Sequence, residues 1–392
     1  MPPRKLRISV LFEYATLNGG ERSMLSVMDV LQTQGVEFSA LAPSDGALPR
    51  ELDRRGIDRR SLDLLDQTGQ RRPRNALVQQ VVEFASTSSA DLLHANSLSM
   101  SRILGAAAAD ISVPCCGHLR DILKLSRAAV QDLNQNMCLV AVSQATCSFH
   151  TEQGVDPARL RVIYNGVDCR VFQPRSGTGV LRAELKLGSQ HILVVHIGQI
   201  SLRKAQDVYV ESAVRCAESC PQMHFLLVGE RHSRKSESIE FEQAWMRRIE
   251  GAGLQQRFHM LGRRSDIAQL LNDCDILVHT SRQEPLGRVL LEAGASGLPV
   301  VATNVGGTRE IFPEDSMASM IAPDDPAALE AELVRLADNP GLRQRLGLAA
   351  RRQVAEAFDV QSAANALRSC WNSVIARQSA GGDSDSSSTD LL

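Results

Sequence analysis

Residues 279–311 read HTSRQEPLGRVLLEAGASGLPVVATNVGGTREI and hold two carboxylates eight residues apart, Glu284 and Glu292. Pro285 suits the first turn of a helix, where a missing N–H leaves no bond unmade. Beyond Leu286, Val289, Leu290, Ala293 and Leu298 give the helix an apolar side, and Gly297 with Pro299 ends it. Residues 299–303 (PVVAT) then read as a strand, and Gly306-Gly307 opens a turn.

A helix starting here leaves the N–H groups of Leu286, Gly287 and Arg288 without intrahelical acceptors, and the helix dipole favours an anion at that end. Gly287 lets a ligand come close to the backbone. A carboxylate only accepts hydrogen bonds. Glu284 just before the helix, and Glu292 about two turns into it, therefore suit sugar or ribose hydroxyls rather than phosphate. The expectation is a diphosphate site flanked by hydroxyl-binding glutamates. An amphipathic helix with surface glutamates is the plain reading of the spacing alone.

Outward from this stretch the chain alternates strand and helix. In the first half, strands are expected at 6–12, 36–42, 91–95, 113–117, 139–142 and 160–164, with helices at 21–33, 76–86 and 100–109 between them. In the second half, strands are expected at 191–197, 224–228, 258–261 and 275–279, with helices at 205–220, 243–252 and 265–272. Such alternation means parallel, doubly wound α/β sheets. These bind ligands at the carboxyl ends of their strands.

Several residues fall at those ends. Asn18-Gly19-Gly20 follows the first strand as a loop whose amides could approach a ligand, although a plain turn reads equally well. His94 ends a strand in LLHANS, where a buried structural histidine is an ordinary occurrence. His118, Arg120 and Asp121 gather three chemistries at one strand end. Lys204, between a strand and a helix, is a compact cation suited to phosphate oxygens, with Arg203 beside it. Asp273-Cys274-Asp275 spells D-x-D, but it bridges a helix end and a strand, where aspartate is common, so no metal site is expected.

An arginine-rich run, Arg50, Arg54, Arg55, Arg59, Arg60, Arg71, Arg72 and Arg74, reads as a solvated face. Its sharper reading is peripheral contact with anionic lipid head groups.

The 392 residues suffice for two domains with their own cores. Aromatic content of 4% and a net charge of −2 argue against a nucleic-acid partner. The short apolar run after MPPRK ends at Glu13 and does not read as a signal peptide, and no segment reaches the roughly 18 apolar residues of a membrane span. Nine cysteines show no zinc-type pairing and read as reduced thiols, so a cytoplasmic protein is expected, with peripheral contact at the inner face of a membrane as the variant.

The central stretch resembles the donor-binding signature of retaining family 4 glycosyltransferases: a Ser before Glu, E-P-x-G, the second Glu, G-x-P-V and G-G-x-x-E-I. Asn165-Gly166-Val167-Asp168 is similar to the N-G-V-D that closes the family's N-terminal domain. The resemblance implies a GT-B fold, two Rossmann-like domains facing across a cleft that closes over the substrates. Residues 1–172 would form the acceptor-side domain and 180–360 the nucleotide-sugar domain, joined by the linker QPRSGTG (173–179). Residues 361–378 would be a helix crossing back, and 379–392 a disordered, low-complexity tail.

It further implies a metal-independent enzyme with no cofactor, moving a hexose-type sugar from a nucleotide-diphospho-sugar to a glycan or lipid-linked acceptor in polysaccharide or glycoconjugate synthesis. Attack would come from the face the leaving group departs from. Glu292 would hold the ribose and Glu284 the donor sugar. Lys204, with Arg203 and the amides of Leu286 and Gly287, would take up diphosphate charge. His118 would position the sugar, and Gly19 and Gly20 would face the donor. The chain departs from the family's G-R-x4-K-G pattern at Gln199 and Ala205. Those departures sustain the alternatives of a non-catalytic nucleotide-sugar-binding scaffold and, less well, a nucleotide-sugar epimerase of the same architecture.

Overall fold

The computed structural model describes residues 4–382, which fall into two compact units, 4–166 with 360–382 and 167–359. The first is built on a seven-stranded sheet of β1 (Arg7–Leu11), β2 (Glu37–Ala42), β3 (Asp58–Ser61), β4 (Leu92–Ala95), β5 (Cys115–Leu119), β6 (Cys138–Ala141) and β7 (Leu160–Val162), in the order β3-β2-β1-β4-β5-β6-β7. Every pairing is parallel. β4 and β6 are buried at every position, as expected of strands covered by helices on both faces.

The edge strand β3 is absent from the sequence expectation. Its residues, DRRS, are largely exposed and offer no apolar pattern, only a charged edge. Around it Arg55 pairs with Asp29 and Glu51, Arg54 with Glu51, and Arg59 with Asp53. The first part of the arginine run is thus mostly ion-paired surface, with Arg60 instead donating to Thr87 Oγ1 and lying over the Phe84 ring.

The second unit has a six-stranded sheet of β8 (Ile192–Ile197), β9 (Met223–Val228), β10 (Phe258–Gly262), β11 (Ile276–His279), β12 (Val300–Thr303) and β13 (Ser319–Ile321), in the order β10-β9-β8-β11-β12-β13. All its pairings are parallel as well. In both sheets the order reverses beside the first strand, between β1 and β4 and between β8 and β11. That switch point opens a crevice at the carboxyl ends of the strands, and both candidate sites lie there.

Three boundaries differ from the sequence reading. The division falls between Gly166 and Val167, inside the N-G-V-D turn, rather than near 172–180. Residues 173–179 are not a free linker. Asp273 accepts hydrogen bonds from Thr178 Oγ1 at 3.0 Å, Gly179 N at 3.2 Å and Leu181 N at 3.2 Å, fastening that segment to the second unit. The C-terminal helix Val360–Gly382 includes the first four residues assigned to the tail, and 383–392 lie outside the described residues.

That helix buries Val360, Ala364, Leu367, Trp371 and Val374 at spacings of three and four, in one core with Met24, Met28 and Leu31 of helix Gly19–Thr33. Cys370 on the same helix meets Cys116 and Cys138, which pair in register across β5 and β6, so three sulfurs lie within 4.8 Å of one another. Their wide sequence separation hid this convergence. Among the described residues no helix is long and apolar enough to cross a membrane.

Candidate functional site

The second-unit site is assembled from the segments that follow β8 and β11. After β8, Gln206 clamps the loop: its Nε2 donates to Gln199 O at 3.0 Å and its Oε1 accepts from Ser201 N at 3.2 Å. A short 3-10 turn, Leu202–Lys204, then presents Lys204. Its ammonium forms an ion pair with Glu284, and both side chains are largely buried, 12% and 8% exposed. Lys204 and Glu284, expected to reach for different parts of a ligand, hold one another in this state.

Glu284 Oε2 takes three bonds. Besides Lys204, it accepts from His279 Nε2 at 2.8 Å and from Ser281 Oγ at 3.3 Å. Burial pushes the Glu284 carboxyl up, but Lys204, His279 and Arg203 outweigh it and hold it well below the usual carboxylate range. Burial and the Lys204 charge keep His279 below its ordinary value, so its ring is neutral near pH 7. His196 stacks on His279 with centroids 6.4 Å apart and contacts Lys204 O at 3.3 Å. Sequence reading assigned neither histidine a role. The available signal was their place at the ends of β11 and β8.

The backbone beneath Glu284 is fixed by Gly306-Gly307. Gly307 N donates to Glu284 O at 3.0 Å, and a Cβ on Gly306 would lie 1.9 Å from that oxygen. The G-G turn is thus explained by close approach.

The helix begins later than expected, at Arg288, with Gly287 at φ +109° as its N-cap. Pro285 and Leu286 precede it, and Glu292 sits just over one turn in rather than two. The late start follows from that left-handed glycine, a conformation that does not continue a helix. Among the described residues the amides of Leu286 and Gly287 have no acceptor. Glu292 is buried and its Oε1 accepts from Arg288 Nε at 2.7 Å, one turn away. Arg203 is exposed and donates to Gln283 O at 3.3 Å, which keeps its charge beside Glu284.

Ala205 occupies the left-handed region, φ +50° and ψ +49°, at the junction of the 3-10 turn and helix Gln206–Ser219. The glycine usual in the resembling pattern needs no explanation beyond this backbone, and the alanine keeps the loop at a conformational cost. Ala205→Gly is expected to raise stability by about 1 kcal/mol, seen as a higher denaturant midpoint with an unchanged slope.

D-x-D does not offer two open carboxylates. Asp273 holds residues 178–181, and Asp275 Oδ2 accepts from Arg182 Nη2 at 2.7 Å and Leu193 N at 2.8 Å.

In the first unit, Gly19 and Gly20 form the first turn of helix Gly19–Thr33 instead of a loop, because Asn18 caps it: Asn18 N donates to Glu21 Oε2 at 3.1 Å. Gly20 abuts Arg120, whose Cδ would lie 3.0 Å from a Cβ there. Arg120 gathers this site. Its Nη2 donates to Asn96 Oδ1 at 2.9 Å and contacts His118 Nδ1 at 3.2 Å, and its Nη1 donates to Asn165 Oδ1 at 2.7 Å.

A chain of donors fixes the histidines. Trp371 Nε1–H donates to His94 Nδ1 at 3.1 Å. His94 then carries its proton on Nε2 and donates to His118 Nδ1 at 3.3 Å. His118 Nδ1 accepts from both neighbours, so the proton of its neutral ring sits on Nε2. That atom is buried and has no partner among the described residues. Burial, then the Arg120 charge, lowers His94 to about 3, and burial with Arg120 and His94 holds His118 well below its ordinary value. The result is a neutral donor with nothing to donate to.

Two parallel, doubly wound domains of this kind are those of the GT-B class. The chain belongs to the family 4 glycosyltransferases: residues 17–171 match glycosyltransferase family 4 and residues 179–353 match glycosyl transferases group 1. It is 32% identical over 207 residues to a D-inositol 3-phosphate glycosyltransferase of Thermomonospora curvata, covering 51% of this chain and 48% of that protein. It is 27% identical to an N-acetyl-alpha-D-glucosaminyl L-malate synthase of Bacillus anthracis, covering 58% and 57%. The chain spans about half the length of the first of these curated relatives. HepE of Anabaena, solved in complex with UDP and glucose, aligns with a TM-score of 0.82 at 25% identity over 94% of this chain and 100% of that one.

Proposed function

We propose that this protein is a retaining, metal-independent glycosyltransferase that moves a hexose-type sugar from a nucleotide-diphospho-sugar to a hydroxyl-bearing acceptor, a glycan or a lipid-linked molecule. The observation that carries this reading is the convergence of Lys204, Glu284 and two unpaired backbone amides at the switch point of the second sheet. On this reading the diphosphate draws Lys204 from Glu284 and accepts from the amides of Leu286 and Gly287. Developing charge on the leaving group is then met by fixed donors. Glu284, released, accepts from sugar hydroxyls, and Glu292 from the ribose. His118 Nε2–H donates to an oxygen of the transferred sugar. HepE of Anabaena, solved with UDP and with UDP-glucose, supports a nucleotide-sugar donor.

The test is thermal stabilisation by UDP, GDP and ADP, with and without EDTA, on wild type and Glu292→Ala. Ligand at a hundred times its dissociation constant adds about 2.7 kcal/mol. One nucleotide is expected to stabilise the wild type in EDTA and to lose that effect in the variant. If none of them binds, or binding requires metal, the reading falls. Binding without sugar transfer would instead select the scaffold alternative.

A further inference from the structure

The first unit contains a cavity of about 390 Å³, the size of a small sugar or polyol derivative. Four arginines help to line it, Arg71, Arg72, Arg74 and Arg102. The second part of the arginine run therefore belongs to a concave site, unlike the ion-paired surface of the first part.

The protein leaves these cations incompletely neutralised. Arg74 and Arg102 share one carboxylate, Asp132, with Arg102 Nη2 3.4 Å from Oδ2. Arg71 donates to Ser99 Oγ at 2.8 Å and Arg72 to Gln80 Oε1 at 3.0 Å, both neutral partners. Among the described residues neither Arg71 nor Arg72 has a carboxylate within ion-pair distance. Among the described residues Arg102 Nε is buried without a hydrogen-bond partner. A buried N–H of a permanently charged group with no acceptor costs stability unless something else supplies one.

Two carboxylates share the wall, Glu13 just after β1 and Asp121 just after β5. Arginine forks match planar or tetrahedral oxyanions, whereas carboxylates accept from hydroxyls. Glu13 also accepts from Ser97 Oγ at 2.7 Å, and a single ligand that meets both kinds of side chain carries hydroxyls as well as an oxyanion. The cavity opens at the carboxyl ends of β1 and β5, the strand that ends with His118 and Leu119.

We infer that the acceptor is a hydroxyl-bearing phosphate ester whose phosphate is held by Arg71, Arg72 and Arg102, with its hydroxyls turned to Glu13 and Asp121. This rests on the transferase reading only for the word acceptor; the phosphate site stands on its own geometry. The ester has two sources with the same chemistry, a free polyol phosphate and the head group of an anionic lipid.

The test uses the full chain, wild type, Arg102→Gln and Arg71→Gln. Probes are inorganic phosphate and glycerol 3-phosphate by calorimetry, and sedimentation with phosphatidylglycerol or phosphatidylcholine vesicles. Arg71→Gln serves as the fold-safe variant, because its side chain is exposed. At least one phosphate probe is expected to bind, more weakly as salt rises, and each substitution to weaken it about tenfold or more. The nucleotide response should be unchanged. Binding of glycerol 3-phosphate indicates a free ester, and binding to phosphatidylglycerol vesicles alone indicates a lipid. If no phosphate probe binds, or both variants bind as the wild type does, the inference is overturned. If phosphate binds but no nucleotide does, the donor reading fails and the phosphate site survives.

Discussion

Glu284→Ala is expected to destabilise the second unit by about 3–5 kcal/mol, because it strands a buried ammonium whose counterion is gone. Lys204 and Glu284 are both nearly closed to solvent, and the same Glu284 oxygen serves His279 and Ser281. Lys204→Met alone leaves the carboxylate buried and costs a similar amount. The double variant Lys204→Met with Glu284→Gln removes both charges and keeps an acceptor for His279 and Ser281. It should recover most of the lost stability, since removing a buried pair together is often near neutral. Sugar transfer should not recover and should stay at least about a hundredfold below wild type, the usual consequence of deleting a fixed donor from a charge-stabilising site. Denaturant midpoints and initial rates on the same preparations separate the two effects. Transfer that returns along with stability would mean the pair is structural only.

His118→Ala is expected to lower transfer by about two to three orders of magnitude with little change in nucleotide affinity. The basis is the Nε2–H that the fold buries, orients and leaves without an acceptor. His118 is held well below its ordinary value, so the ring is neutral around pH 7 and its own titration should not appear in the rate between pH 6 and 8. Trp371→Phe offers the contrast. It leaves His94 Nδ1 buried and unpaired, costing about 1–3 kcal/mol of stability. Arg120 still donates to His118 Nδ1, so the proton stays on Nε2 and the rate constant should hold. A rate that falls in Trp371→Phe as far as in His118→Ala would contradict this assignment.

Burying the neutral imidazoles also sets an acid limit. A histidine whose folded value is depressed contributes stability above its unfolded value, near 6.5, and loses it as the pH falls. His94 and His196, each at about 3, withhold protons that the unfolded chain would bind across that interval. Each such group costs about 1.4 kcal/mol per pH unit between 6.5 and about 3, and no more below that.

The sequence by itself determined the two α/β sheets, because buried parallel strands are written as short apolar runs such as ILVVHI between amphipathic helices. It also determined which residues crowd the strand ends, including Lys204, Glu284 and His118. It could not show β3, whose charged residues carry no periodicity, nor the helix start at Arg288, which depends on the left-handed Gly287. Only the tertiary structure decided who partners whom. Lys204 and Glu284 are 80 residues apart, His94 and Trp371 277, and Cys138 and Cys370 232. Local propensity carries no information about contacts over such separations. The same holds for Arg71 and Arg102: in sequence one belongs to a polar run and the other to a helix, and only folding brings their incompletely neutralised charges to the wall of one cavity.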